Sequence, residues 1–314
     1  MIVDEALARV RRRGASMLRQ AIAGDQRLGP RDLVTADDPG FFGPASVAWR
    51  VHRDPAMLIG GLRALLFQTL HPLAMAGVAD HSDYRDDPWG RLHRTGRFIG
   101  ATTYGNTATA EQVIETIRAV HDRVVGVAPD GRPYAANDPH LLLWVHVTEV
   151  DSFLQAHLRY GQGKLTDAEQ DRYIAEMAEV GRRLGAEGVP EDRSALAASL
   201  EAFRQECHFG RQAREAVRFL LLPPVPLALR GAYGLLGAAA IGLLPGWARS
   251  MMWLPVPPGV DPLAIRPAAS VLTRTIGWLM TDGSQIDPAE NARPPSDRSP
   301  TDRARSAPER SPSD

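Results

Sequence analysis

DPHLLLWVHVTEVDSFLQAHLRY, residues 138–160, decides the fold class. Asp138 followed by Pro139 is a helix start, with a capping carboxylate and a residue suited to the first turn. No Gly or Pro follows before Tyr160, so the stretch predicts one long helix. His146 and His157 are eleven residues apart, close to three turns, and share a face with Val150 and Phe153. Their separation of about 16 Å along the helix is too great for one metal ion. They either line a shared cavity or sit in a helix interface.

Working outward, helical patterning dominates and alternating strand patterns are nearly absent. Asp54 and Pro55 open a helix whose Leu58, Leu62, Leu65, Leu66 and Leu70 fall on one face. Gly90–Ala101 reads as another helix. Thr109 caps the next, which runs to about Val125. Gly126–Asn137 contains PDGRPY, a turn or short hairpin. Thr166-Asp-Ala-Glu169 matches a capping box and opens a helix to about Leu184. Helices are predicted over 193–206 and 210–221. Pro223, Pro224 and Pro226 break the chain before a Gly- and Ala-rich helix, and two further helices end near Met280. Residues 4–23 predict an amphipathic helix, followed by an irregular arm over Pro30–Pro44. Beyond Thr281 the composition turns to Pro, Ser, Asp and Arg, which predicts disorder.

The 314 residues carry a net charge of −1, with 44% hydrophobic residues and a single cysteine, Cys207. No basic block tracks nucleic acid. One cysteine excludes an internal disulfide framework and any CxxC site. Arg11, Arg12 and Arg13 are not followed by an apolar core, so no secretory signal is read and a cytoplasmic protein is expected. Gly231–Leu244 is uncharged but shorter than the roughly 20 residues a spanning helix needs. A buried helix is expected, and a peripheral membrane contact stays open.

Three constellations carry candidate chemistry. His121, in VIETIRAVHDRVVG, shares the apolar face of its helix with Ile114, Ile117 and Val124. Such an imidazole is either a core group satisfied by protein hydrogen bonds or a ligand to a metal or haem iron. Arg91 and Thr95 lie four apart on one helix face, where they can bind a carboxylate, a phosphate or an iron-bound oxygen species, or serve only surface and packing roles. Leu70–Asn106 adds His71, His81 and His93 beside Asp80, Asp83, Asp86 and Asp87. Its His71 and His81 read as pocket-shaping groups, His93 as solvated. No Glu-x-x-His pair, HExxH, CxxCH, G-x-S-x-G or P-loop is present.

QTLHPLAMAGVADHSDYRDDPWGRLHRTGRFIGATTYG (68–105), IRAVHDRVVGVAPDGRPYAANDP (117–139) and LLLWVHVTEVDSF (141–153) together resemble the latex-clearing protein (rubber oxygenase) and MpaB-type oxygenase family. The resemblance covers roughly residues 45–255. It implies an all-α, single globin-like domain over 45–282 that holds non-covalent haem b. Residues 1–44 would then be an N-terminal helix and arm, and 283–314 a disordered tail. It implies His121 as the proximal iron ligand within Arg118-Ala-Val-His121, with Arg118 and His146 at the cofactor. Arg91 and Thr95 match the distal Arg and Thr. Where rubber oxygenases often carry a Lys just before that Thr, Arg94 stands here. No Glu lies between His71 and Gly90 to match the proposed catalytic base. The expected function is O₂ activation at a His-ligated haem iron with an apolar alkene or terpenoid substrate. The alternative is a haem-based gas or small-ligand binding protein without oxygenase activity. Expected partners are a small apolar substrate and O₂, with no nucleic acid; the oligomeric state is unassigned.

Overall fold

The computed structural model of the protein describes residues 32–224, 226–254, 256 and 259–280. The helix expected at 4–23 and the tail expected at 283–314 lie outside these residues, and so does the side chain of Trp89.

Long apolar stripes and strong caps make the described chain almost wholly helical. In order come α1 (Val47–His52), α2 (Met57–Gln68), α3 (Pro72–His81), α4 (Pro88–Tyr104) and α5 (Thr107–His121). A hairpin of β1 (Val125–Val127) and β2 (Pro133–Ala135) follows. Then come α6 (Pro139–Tyr160), α7 (Asp167–Leu184), α8 (Arg193–Phe203), α9 (Arg211–Leu221), α10 (Leu227–Leu243) and α11 (Gly246–Met251). A π-helical turn, Asp261–Ile265, leads into α12 (Arg266–Met280).

The long helix is the hub. α6 packs against α1, α2, α3, α7, α8, α10 and α12. Trp144, Val147, Val150, Phe153, Leu154 and Ala156 are all buried along it. Each such large apolar side chain contributes about 1.5–3 kcal/mol relative to exposure. The α2–α6 contact is close because residue 60 has no side chain: a Cβ there would lie 2.8 Å from Phe153 Cδ1 and 3.1 Å from Ser152 O. Three residues on, Arg63 is fully buried and spends its fork on three acceptors from two helices, α6 and α10. It donates to Asp151 Oδ2 at 2.6 Å, Ser152 Oγ at 2.6 Å and Leu243 O at 3.0 Å. That arrangement satisfies a charge that would otherwise be costly to bury.

Caps set the helix starts as the local sequence predicts. Asp138 accepts from His140 N and Leu141 N at the start of α6. Thr166 and Glu169 form a reciprocal capping box on α7. The start expected at Asp54 and Pro55 differs: α2 begins at Met57 with no side-chain cap, and Asp54 Oδ1 accepts from Ala56 N in the turn before it. Two boundaries of α5 differ as well. α5 is capped by Asn106, not Thr109, because the Asn106 side chain accepts from Thr109 N. It also ends at His121, not near Val125, because Val125 pairs with Ala135 in the antiparallel hairpin. The hairpin claims backbone groups that a longer helix would need.

Candidate functional site

His121 is the last residue of α5, followed by the C-cap Asp122. Its ring is half-buried, Nδ1 is shielded from solvent without a partner, and among the described residues no hydrogen bond reaches either ring nitrogen. Burial pushes its pKa down, with Asp122 opposing. The ring is therefore neutral at ordinary pH, with a lone pair free. That is the state an iron ligand requires. A protein-satisfied core histidine, the other use open to it, would show a partner on at least one nitrogen. An imidazole without a protein partner among the described residues has the chemistry to hold a haem iron.

The surroundings of His121 are tied to the Leu70–Asn106 stretch through β1. Val125 O accepts from His81 Nε2 at 3.2 Å. The His81 ring stands edge-on to Tyr134, whose hydroxyl donates to Asp80 Oδ2 at 2.6 Å. Ser82, next in the chain, is the C-cap of α3, and its Oγ accepts from Arg91 Nη1 at 2.7 Å. So Arg91 faces a hydroxyl, with no carboxylate as partner among the described residues. Burial lowers its pKa while the nearby Tyr84 acts against that. Thr95 is exposed, and its hydroxyl turns back to Arg91 O at 3.1 Å. The two residues share a helix face, but only Arg91 is held inward. On the same helix Phe98 and Ile99 are half-buried, and a Cβ added at Gly100 would meet nothing within 4 Å.

Arg118 is exposed, and its guanidinium reaches Arg183 O at 3.5 Å. Its carbonyl accepts from Asn137 Nδ2 at 3.2 Å, which holds the residues after the hairpin against α5. His146 is buried between α6 and α7, where the missing side chain of Gly181 makes room for it: a Cβ there would lie 3.0 Å from its Nδ1. Burial, then the charge of Arg182, pushes its pKa down to about 4, and among the described residues Nε2 has no partner. His157 does not share that space. It sits beside Asp54, with its Nδ1 3.4 Å from Asp54 Oδ2. The two histidines lie in separate interfaces rather than lining one cavity.

Glu149 is a group the sequence reading passed over. It lies one turn after His146 on α6, and among the described residues its carboxyl has no hydrogen-bond or ion-pair partner. Burial pushes its pKa up to about 7. Its charge is felt by Tyr173, whose hydroxyl lies 3.1 Å from Nε2 of the buried His52. Nδ1 of that His52 lies 2.7 Å from Thr103 Oγ1 on α4. Titratable groups of α1, α6 and α7 thus lie near one another. The i, i+3 spacing of His146 and Glu149 was a readable signal; the lack of a partner was not.

A second cluster joins three distant segments. Ligand-type atoms of His71, His140 and Glu206 all lie within 4.8 Å of one another. His140 Nε2 is 2.8 Å from Glu206 Oε1, and His71 Nε2 is 3.3 Å from Oε2. Two histidines and a carboxylate have the composition of a divalent-metal site. The local electrostatics favour the bare carboxylate. His71 is the N-cap of α3, and its Nδ1 accepts from Ala74 N, so Nε2 carries the ring proton and donates to Glu206. His140 lies in the first turn of α6. The cluster therefore sits beside the positive ends of two helices, which stabilise an anion and oppose a cation. Cys207, the next residue, is half-buried with its thiol pushed up to about 12 by burial and then by Glu206. It stays a neutral thiol, as an inert cysteine does.

The family described as ER-bound oxygenase mpaB/B′ and rubber oxygenase, catalytic domain, matches residues 49–278, well over half of the chain. No curated protein and no solved structure matches it.

Proposed function

The chain belongs to the ER-bound oxygenase mpaB/B′ and rubber oxygenase catalytic-domain family, and from that membership we propose that it is a haem b-dependent oxygenase acting on an apolar alkene or terpenoid substrate. The observation that carries this reading is His121. It is a neutral, half-buried imidazole with no partner on either nitrogen among the described residues, placed in the motif where the resemblance puts the iron ligand.

His121 would hold the iron of a non-covalent haem b. Arg118 and His146, also expected at the cofactor, carry less support: the first is exposed and the second is enclosed between α6 and α7. When bound, the haem supplies the redox chemistry with dioxygen. The protein supplies orientation, charge and exclusion of water. Arg91 keeps its charge next to Tyr84 and is braced by Ser82, so its remaining N–H groups can donate to a partner that gains negative charge. Thr95 would act as a donor only after giving up its bond to Arg91 O. Phe98 and Ile99 give the same helix an apolar side suited to a hydrocarbon.

Titration of the purified protein with haemin tests this. A Soret shift that saturates at one haemin per chain, and is lost in His121→Ala, is expected. If wild type shows no shift, the reading is wrong. A gas- or small-ligand-binding protein is the second reading, favoured by the absence of Glu between His71 and Gly90. Haem binding without oxygen uptake in the presence of any alkene offered would select it.

A further inference from the structure

Where α2, α6, α8, α10 and α11 converge, the protein holds a cleft of about 310 Å³. Small-molecule sites range over roughly 300–1,000 Å³, so the cleft suits a small ligand. It opens to solvent where Ala197 and Glu201 stand exposed on α8. None of the residues assigned to the haem site lines it. Its floor is the ion pair of Arg63 and Asp151, which are 1% and 9% exposed.

The polar groups of the lining decide what the cleft accepts. The Arg63 guanidinium is already committed to Asp151, Ser152 and the Leu243 carbonyl. The carboxylate beside it is less so. Asp151 gives Oδ2 to Arg63, while Oδ1 receives only Gln155 Nε2 at 3.5 Å, the outer limit of a hydrogen bond. A carboxylate offers about four lone-pair sites, so Asp151 keeps acceptor capacity. Glu201 adds a second carboxylate, held at the rim by Arg204 Nη1 at 3.0 Å. Two carboxylates against one guanidinium leave the lining negative and rich in acceptors, which opposes an anion and favours a cation that carries N–H donors. Arg204 shows the same preference. The guanidinium that pairs with Glu201 also lies over the indole of Trp247, 5.7 Å from its centroid. Trp247 lines the cleft and rests tilted on Phe67 at 5.5 Å. An aromatic face beside carboxylates is a cation-binding arrangement, and Leu200 gives the cleft an apolar wall.

We propose that this cleft binds a small organic amine in its ammonium form, with an apolar body. The ammonium donates to Asp151 Oδ1 and to Glu201, and the apolar body lies against Trp247 and Leu200. The exposed Glu201–Arg204 pair is worth at most about 1 kcal/mol, so a ligand ammonium takes over Glu201 at small cost. The site is separate from His121 and Arg91 and does not depend on haem.

The test is isothermal titration calorimetry of the full chain at neutral pH, with phenethylamine, phenethyl alcohol and phenylpropionate as probes. They share an apolar body and differ in charge. The amine should bind at one site per chain, at least about tenfold more tightly than the alcohol, and the anion should not bind. Ala197→Trp fills the cleft from its exposed rim and should abolish amine binding. Glu201→Gln, also at an exposed position, should weaken it several-fold and serves alone if the larger substitution disturbs folding, which thermal melts would reveal. Arg204→Ala removes the competing cation and should strengthen it. The proposal is overturned if the amine binds no better than the alcohol, if phenylpropionate binds as well as the amine, or if folded Ala197→Trp or Glu201→Gln binds the amine as wild type does. Weaker amine binding by Arg204→Ala would overturn it equally.

Discussion

Nε2 of His81 lies 3.2 Å from the carbonyl oxygen of Val125, four residues beyond His121. This contact joins the end of α3, and through Ser82 the Arg91 side chain, to the strand that follows the candidate iron ligand. It makes His81 a brace between two halves of the site. His81→Ala should cost about 1 kcal/mol of stability, the usual net worth of one such hydrogen bond. It should also weaken haemin affinity several-fold without abolishing the Soret band. An affinity equal to wild type would show that the brace is dispensable.

His121 and the His71–His140–Glu206 cluster give opposite results in a metal and haemin assay. His121→Ala is expected to remove the haemin absorption change. Glu206→Ala should leave it intact and lower stability by about 1–3 kcal/mol, because the donor on the buried His71 loses its acceptor. Stoichiometric zinc or iron in the haem-free protein, lost in Glu206→Ala, would reverse the assignment of that cluster.

Glu149 and the buried histidines predict opposite pH slopes. The Glu149 carboxyl titrates at about 7 in the fold, above its ordinary 4.5. Between those values the native state holds the extra proton, so this group's contribution to stability falls as pH rises. Glu149→Gln should therefore gain melting temperature relative to wild type from pH 5 to pH 8 on the scale of those pKa values. His52 at about 3 and His146 at about 4 are depressed from 6.5. The unfolded chain takes up their protons first, so stability is lost as pH falls below about 6.5. Thermal melts of wild type and Glu149→Gln across this range check both signs; a constant offset between the two would sink the Glu149 argument.

The α2–α6 contact has two points of failure. Gly60→Ala places a methyl 2.8 Å from Phe153 Cδ1 and should destabilise by about 1–3 kcal/mol. Arg63→Ala leaves Asp151 and Ser152 without their guanidinium partner and should cost about 3–5 kcal/mol. Urea denaturation measures both, and an Arg63→Ala cost below that of Gly60→Ala would contradict the buried ion pair's role.

Arg91→Gln should retain haemin binding, since iron ligation is assigned to His121, while oxygen uptake with an accepted alkene falls by about 10²-fold, the scale of one lost charge-stabilising donor. Equal oxygen uptake by variant and wild type would remove Arg91 from the site.

The starts of the helices could be read from the chain because caps are local chemistry. Asp138 with Pro139, and Thr166 with Glu169, each act within one turn, so a few consecutive residues are enough to place them. The apolar stripe of α2 and the length of α6 followed from the local sequence alone. The end of α5 could not be read this way, because Val125 is taken by Ala135 ten residues later.

The candidate site divides along the same line. By itself the sequence determined a helical chain, an imidazole on the apolar side of its helix at His121, and the shared face of Arg91 and Thr95. Each of these depends on residues a turn or two apart. Only the tertiary structure decided that, among the described residues, His121 has no partner and Glu149 sits unpaired, and that Arg91 rests on Ser82 while Thr95 turns back on its own helix. It alone brought His71, His140 and Glu206 together from three segments. Burial and partnership depend on which distant elements pack where, and the free energy of a buried polar group is set by those neighbours rather than by its position in the chain.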